Sequence, residues 1–324
     1  MTRMHRSLSL MAAFAVLLCP TAARAAINPG AGTSGAQFLK LGAGSRAGAM
    51  GEAYSAIADD VYGVYYNPAA LTRLTESQIA AAHAEHFQGI SYDFAAFAYP
   101  FGRETGHSRH VLAGSIYNLS IADIERRTAD TRAPIGTFEA GDYAYTLSYA
   151  YRAMPNLSLG VSGKLIHETI DSYSASAYAA DLAALYTIDD VFRGRPLWLS
   201  GVIKNLGTDI SFAGVTDPLP RGLVVGAGTR LSKRTKLAVD VTKYRDTNAF
   251  IGAGVEYLHP FTQNVSGALR GGINTHRIDN EGMNLMSFGA GINFYRAGFD
   301  FAWVPYGDLG NTFRFSLVLR FANK

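Results

Sequence analysis

From Thr312 to Phe321 the chain alternates strictly. Phe313, Phe315, Leu317, Leu319 and Phe321 fall on one side, and Arg314, Ser316, Val318 and Arg320 on the other. Successive side chains of a strand point to opposite faces, so this stretch is one strand with an aromatic face and a charged face. The pattern recurs. Tyr143, Tyr145, Leu147, Tyr149 and Tyr151 oppose Ala144, Thr146, Ser148, Ala150 and Arg152. Leu237, Val239 and Val241 oppose Lys236, Ala238, Asp240 and Thr242. Met286, Phe288, Ala290, Ile292 and Phe294 oppose Ser287, Gly289, Gly291 and Asn293. The second face is the informative one. It carries Lys164, Asp181, Arg230, Lys236, Asp240, Glu256, Arg270, Asp300, Arg314 and Arg320, interleaved with Gly, Ala and Ser. A transmembrane barrel turns apolar residues to lipid and tolerates charge in its lumen. A soluble sandwich also places charge outward, but its outer face rarely needs so much glycine. Small residues beside charges fit a crowded polar lumen instead.

About fourteen such segments are predicted, an even number as bacterial barrels require. Their centres fall near Ala82, Ala96, Gly114, Leu147, Val161, Leu182 and Val202, then Ala227, Val239, Val255, Leu269, Ala290, Phe301 and Leu317. Barrels have long outer loops and short periplasmic turns. The predicted long connections, Asn118 to Asp142, Gly207 to Pro220 and Thr275 to Asn284, follow strands three, seven and eleven. The short ones, at Met154-Pro155-Asn156, Ser232-Lys233-Arg234 and Tyr295-Arg296, follow strands four, eight and twelve. Gly102 to Arg109 and Asp189 to Arg195 are long for periplasmic turns.

Export fits this reading. Residues 1–25 have the form of a cleaved signal: basic Arg3 and Arg6, an apolar run from Ser7 to Leu18, and Ala23-Arg24-Ala25 as the cleavage pattern. The only cysteine, Cys19, lies inside it, so the mature chain has neither a disulfide nor a thiol nucleophile. No later stretch reaches the ~18 apolar residues of a spanning helix, so a membrane form must be a barrel. The net charge is +3, with no basic block, which leaves no footprint for nucleic acid.

Residues 26–77 differ in texture from the barrel at 78–324: they are rich in Gly and Ala and alternate poorly. Gly35 to Leu71 reads GAQFLKLGAGSRAGAMGEAYSAIADDVYGVYYNPAAL. It resembles the N-terminal signature of the PorV/PorQ family, within the FadL-like outer-membrane barrels. The matching elements are Phe38-Leu39, Gly42, Gly44, Arg46, Ala49-Met50-Gly51, Ala53, Ala58-Asp59-Asp60 and Asn67-Pro68-Ala69. The resemblance implies a fourteen-stranded barrel plugged by an N-terminal hatch, with Phe38, Arg46, Asp59, Asp60, Asn67 and Pro68 as hatch or ligand-gating candidates. A carboxylate in a partly dehydrated lumen needs a partner. Asp59 or Asp60 is therefore expected beside the lumen charges Arg230, Arg270, Arg314 or Arg320. A roomy lumen would also accept a large side chain at Ser316 or Ala238.

The remaining motifs are weak. Gly42-Ala43-Gly44-Ser45-Arg46-Ala47 matches a dinucleotide fingerprint but lacks a βαβ context. His83 and His86 would face opposite sides of a strand, which argues against a metal site. His107-Ser108 lacks an acid partner and falls on a predicted periplasmic turn. No catalytic residue, cofactor or metal is assigned. The expected location is the outer membrane, with its lipid as the surroundings. The resemblance implies passive transport of hydrophobic small molecules. The alternative is a PorV-like role in type IX secretion, where the long outer loops hold a secreted cargo protein.

Overall fold

A computed structural model describes residues 28–322, apart from 87–88, 105, 131, 192–193, 213, 278–282 and 308–309. The predicted signal, with Cys19, lies outside the described residues. Fourteen antiparallel strands close into a barrel. The first seven are β1 (Ser77–Glu85), β2 (Ile90–Glu104), β3 (His107–Arg126), β4 (Gly136–Met154), β5 (Leu157–Ile170), β6 (Tyr173–Ile188) and β7 (Leu197–Gly207). A small hairpin follows, β8 (Ile210–Phe212) with β9 (Val215–Asp217). The ring then continues through β10 (Gly222–Arg230), β11 (Thr235–Tyr244), β12 (Phe250–Pro260), β13 (Val265–Asn274), β14 (Met286–Phe294), β15 (Ala297–Pro305) and β16 (Asn311–Phe321). It closes by pairing β1 with β16, from Ser77↔Phe321 to Glu85↔Phe313. Closure leaves no open edge, which lipid would not tolerate. No helix among the described residues is long and apolar enough to cross a membrane.

All fourteen predicted centres fall within barrel strands. Facing follows the alternation too. Leu147, Leu269 and Phe315 stand 64%, 65% and 43% exposed, while Ser148, Arg270 and Arg314 on the opposite face are buried. Large apolar side chains left bare outside a closed barrel need lipid around them.

Two predicted connections are corrected. Asn118 to Asp142 is not a loop: β3 runs to Arg126 and β4 begins at Gly136. This hairpin extends past the rest of the barrel, where both faces meet water and alternation no longer serves as a signal. A register irregularity between Ile121 and Ile124, with Asp123 at φ 55°, further scrambles the pattern. Likewise Gly102 to Arg109 is mostly strand, since Arg103 pairs with Ser108 and Glu104 with His107. The β8–β9 hairpin inside the predicted Gly207–Pro220 loop had no strong signature, its two strands having three residues each. The barrel's own ends, Ser77 and Phe321, lie at the end with the short turns. Short turns are the periplasmic mark, so the other end faces outward.

Residues 36–74 contact strands on opposite sides of the ring. The short helix Ser45–Ala49 packs against β14, β15 and β16, and the 3₁₀ turn Pro68–Arg73 against β3, β4, β5 and β6. Only a segment within the ring can do both. Wall glycines make room for it. A Cβ on Gly254 would lie 2.5 Å from Met50 O, one on Gly272 2.2 Å from Gly51 N, and one on Gly160 2.3 Å from Ala69 N. The inward glycines are therefore required by close backbone approach.

Candidate functional site

The segment enters at the outward end and leaves at the periplasmic end. Near its start, Gly35 N donates to Pro218 O, in the connection after β9. Lys40 pairs with Asp246, in the β11–β12 turn, at 2.9 Å. Burial works to raise the Asp246 carboxyl, but hydrogen bonds from Gln37 and Lys40, with the Lys40 charge, hold it below the ordinary carboxylate range.

Mid-segment, Arg46 organises an ion network. Its Nε and Nη2 reach the two Glu256 oxygens at 2.7 and 2.8 Å, and Nη1 reaches Asp59 at 2.6 Å and Asp60 at 3.0 Å. Such two-point contact is the geometry a guanidinium fork prefers. Arg270 joins from the wall, 2.8 Å from Glu256 and 2.6 Å from Asp300, and Lys236 pairs with Asp59. Tyr54 Oη donates to Asp60 Oδ2 at 2.6 Å. A second link ties Arg314 to Glu52 at 2.8 Å and to Gly42 O at 3.1 Å. Backbone N–H groups of Tyr54 and Ser55 donate to Asp240 at 3.0 and 2.8 Å.

Asn67 and Pro68 act locally. Asn67 is extended at φ −161°, accepts from Ala69 N at 3.0 Å and donates to Ser55 O at 2.8 Å. Pro68 opens the turn at the position where a missing N–H is harmless. Together they fix a turn whose backbone lies against Gly160. Phe38 is buried against Tyr117, ring centroids 6.1 Å apart.

The expectation for Asp59 and Asp60 is corrected in part. Their ion-pair partners are Arg46 and Lys236, not Arg230, Arg270, Arg314 or Arg320. The reason is proximity along the chain: Arg46 sits in the same segment and needs no wall strand to bring it near. Arg230, Arg270 and Arg320 do line the same cavity as the two aspartates, at the periplasmic end, with a volume of about 380 Å³. Arg314 belongs instead to Glu52. The condition set for Ser316 and Ala238, a lumen with room, is not met. Ser316 accepts from Ser45 N at 3.0 Å, and Ala238 is 1% exposed, so neither position has space.

A second cavity, about 400 Å³, lies at the outward end. Phe38, Tyr65, Tyr66 and Tyr244 line it, with Lys204, Glu52, Asp240 and Arg277. Lys204 was missed from sequence. It lies two residues after Val202 on the inward parity of β7, so extending the alternation by one step would have found it. His83 and His86 separate as expected: His83 is exposed beside Asp93, and His86 is buried against Thr312. No cluster of potential metal ligands occurs among the described residues. The glycine-rich Gly42–Ala47 stretch follows a 3₁₀ turn rather than a strand.

The family profile described as type IX secretion system protein PorV matches residues 24–245. No curated sequence matches the chain significantly. Among solved structures, the Pseudomonas putida toluene transporter TodX is similar at TM-score 0.57 and 10% identity, covering 86% of this chain and 97% of that one. The Ralstonia pickettii toluene transporter TbuX is similar at TM-score 0.53 and 12% identity, covering 86% and 97%. A Pseudomonas aeruginosa FadL homologue matches at TM-score 0.52 and 11% identity, covering 86% and 99%. At such identities the likeness is one of fold.

Proposed function

The chain belongs to the PorV family, and on that premise we propose that it passes small hydrophobic molecules passively across the outer membrane, with residues 26–77 as a hatch. The observation that carries this reading is the outward cavity of about 400 Å³, with Phe38, Tyr65, Tyr66 and Tyr244 in its lining. It is a concave site lined by aromatic rings and by polar and charged groups together, of the size that takes a small molecule. Beneath it, the Arg46 network and the core around Tyr62 and Leu71 block the lumen, so passage requires the segment to shift. The toluene transporters TodX and TbuX, which share the fold, support a hydrophobic solute. No catalytic set is assigned, and no energy source is part of the mechanism. In this reading Phe38 senses the solute, Arg46, Asp59 and Asp60 latch the hatch, and Asn67 and Pro68 anchor it.

A second reading, the holding of cargo proteins in type IX secretion, is favoured by the family match itself. The protruding β3–β4 hairpin would then be the contact surface. One experiment separates the two. Deleting Gly35 to Leu71 should leave a folded, heat-modifiable barrel with several-fold higher single-channel conductance in planar bilayers. Proteoliposomes of the intact protein should take up toluene faster than empty ones. Unchanged conductance after the deletion, with no toluene uptake by the intact protein, would turn the assignment to cargo binding.

A further inference from the structure

We propose that the periplasmic mouth of the lumen is a binding site for a small, soluble, multiply charged phosphoryl anion, held by Arg230, Lys233, Arg234 and Arg320. The inference goes beyond the transport reading and does not depend on it. Register places the charges. Arg230 of β10 stands directly opposite Lys236 of β11, Lys236 opposite Glu256 of β12, and Glu256 opposite Arg270 of β13. All four lie on the inward parity and line the periplasmic cavity of about 380 Å³. Like charges directly opposite one another on a sheet repel. Asp59 relieves Lys236. Arg230 has no such partner among the described residues. The β10–β11 turn adds Lys233 and Arg234 to the same lining, and Arg320 of β16 joins from across the mouth.

The cavity's own carboxylates do not balance these cations. Asp59, Asp60, Glu256 and Asp300 line it, and Arg46, Lys236 and Arg270 hold all four. Seven cationic side chains face these four carboxylates, so positive charge is in excess even when every acid is counted. The excess is local. The chain's net charge of +3 equals Arg3, Arg6 and Arg24 of residues 1–25, which contain no Asp or Glu, so residues 26–324 are neutral overall. A concave wall of one sign concentrates counter-ions. The rest of the lining selects among them. It has no aromatic ring, and its large apolar residues are Leu258 and Val318, so a ring or an acyl chain finds little to pack on. A single carboxylate would engage one cation and leave the others. A phosphoryl anion carries several charges and acceptor oxygens on one centre, which suits guanidinium forks beside an ammonium. Arg230 and Arg320 face the lumen rather than the lipid, so the ligand is a soluble one arriving from the periplasm.

Isothermal titration of the whole protein in phosphatidylcholine nanodiscs tests this, in metal-free buffer at fixed ionic strength, with diphosphate and acetate as probes. Diphosphate should bind saturably and about 10-fold or more tighter than acetate. The double variant Arg230→Gln, Arg320→Gln should lower diphosphate affinity about 10-fold or more, while Arg221→Gln at the outward end leaves it unchanged. Absence of saturable diphosphate binding, acetate binding as tight as diphosphate, or a double variant that binds like the wild type overturns the proposal. Phosphatidylglycerol added to the discs should not change the diphosphate affinity. A loss of about 10-fold on its addition would make a lipid headgroup the occupant and overturn the soluble ligand. Arg230 and Arg320 hold no ion pair among the described residues, so their replacement removes no contact of the fold. Should the double variant still fail to fold, the wild-type order of affinities and the turn variant Lys233→Gln, Arg234→Gln decide by the same criteria.

Discussion

The two halves of the barrel wall hold the same segment by different physics. From β1 to β6 the inward face meets the segment mainly through apolar residues: Ala80, Phe94, Ala98, Val111, Ala113 and Ile166 are all buried in one core with the segment's Tyr62, Val64 and Leu71, and the buried Lys164–Asp181 pair at 2.7 Å joins β5 to β6, not to the segment. Tyr62 stacks on Phe94 at 5.5 Å, and Tyr65 on Tyr117 at 5.4 Å. From β11 to β16 the inward face is charged, with Lys236, Glu256, Arg270, Asp300 and Arg314 in ion pairs. The apolar half is non-directional and tolerates sliding. The charged half is directional, and each pair has one good geometry. On one side packing supplies adhesion, and on the other ion pairs set position. Net stabilisation by buried pairs is small, but their rupture is expensive.

That difference predicts the largest effect on the charged side. Arg46→Met leaves Glu256 and Asp60 buried with one positive partner fewer. It should destabilise by about 3–5 kcal/mol, as breaking a buried pair does. Urea unfolding of the barrel in micelles measures it. A loss below about 1 kcal/mol would place the network among ordinary solvent-screened pairs and break the comparison.

This asymmetry was only half legible in the sequence. The charged residues of β11 to β16 stood out where they interrupt small residues on the inward parity, as Arg270 does between Ala268 and Gly272 and Asp300 between Gly298 and Ala302. The apolar half did not, because its inward residues are mostly alanines. Ala80, Ala82 and Ala84 alternate with Ala81 and His83, so neither face is marked. The wall is apolar there because the segment supplies the bulk, through Tyr62, Tyr65 and Leu71. That complementarity spans long stretches of chain and leaves no local period. The Asp59–Arg46 pair was hidden for the opposite reason. Both lie in one irregular segment, where neither a period of 2 nor one of 3.6 says which side chains meet.

A smaller effect is expected on the apolar side. Ile166 is fully buried on β5 and lies in the shared core. Ile166→Val removes one methylene and should reduce stability by about 0.5–1.5 kcal/mol. The charged network should be untouched, so the Ile166→Val and Arg46→Met losses should add in the double variant within about 0.5 kcal/mol. Strong non-additivity in urea unfolding would mean that the two halves act as one unit.

At neutral pH the smallest effect belongs to the seam where the halves meet. His86 follows β1, accepts or donates a hydrogen bond with Thr312 Oγ1 at 3.0 Å, and faces the rings of Tyr92 and Tyr306. Arg314 and Glu52 are its charged neighbours. Burial, helped by the Arg314 charge and opposed by Glu52, pushes the imidazole from 6.5 down to about 4. The folded protein therefore resists protonation at this position. Between those two values the unfolded chain binds more protons than the folded one, so stability rises with pH across the window. It is complete above pH 6.5, declines as the pH falls towards 4, and changes no further below that. His86→Gln keeps a hydrogen-bonding group for Thr312 and cannot titrate. At pH 7.5 its urea midpoint should lie close to that of the wild type. At pH 4.5 the variant should have lost less, because the imidazole's share of the acid sensitivity is gone. Parallel losses in both proteins would show that the acid response arises elsewhere, and that the seam does not couple the apolar wall to Arg314.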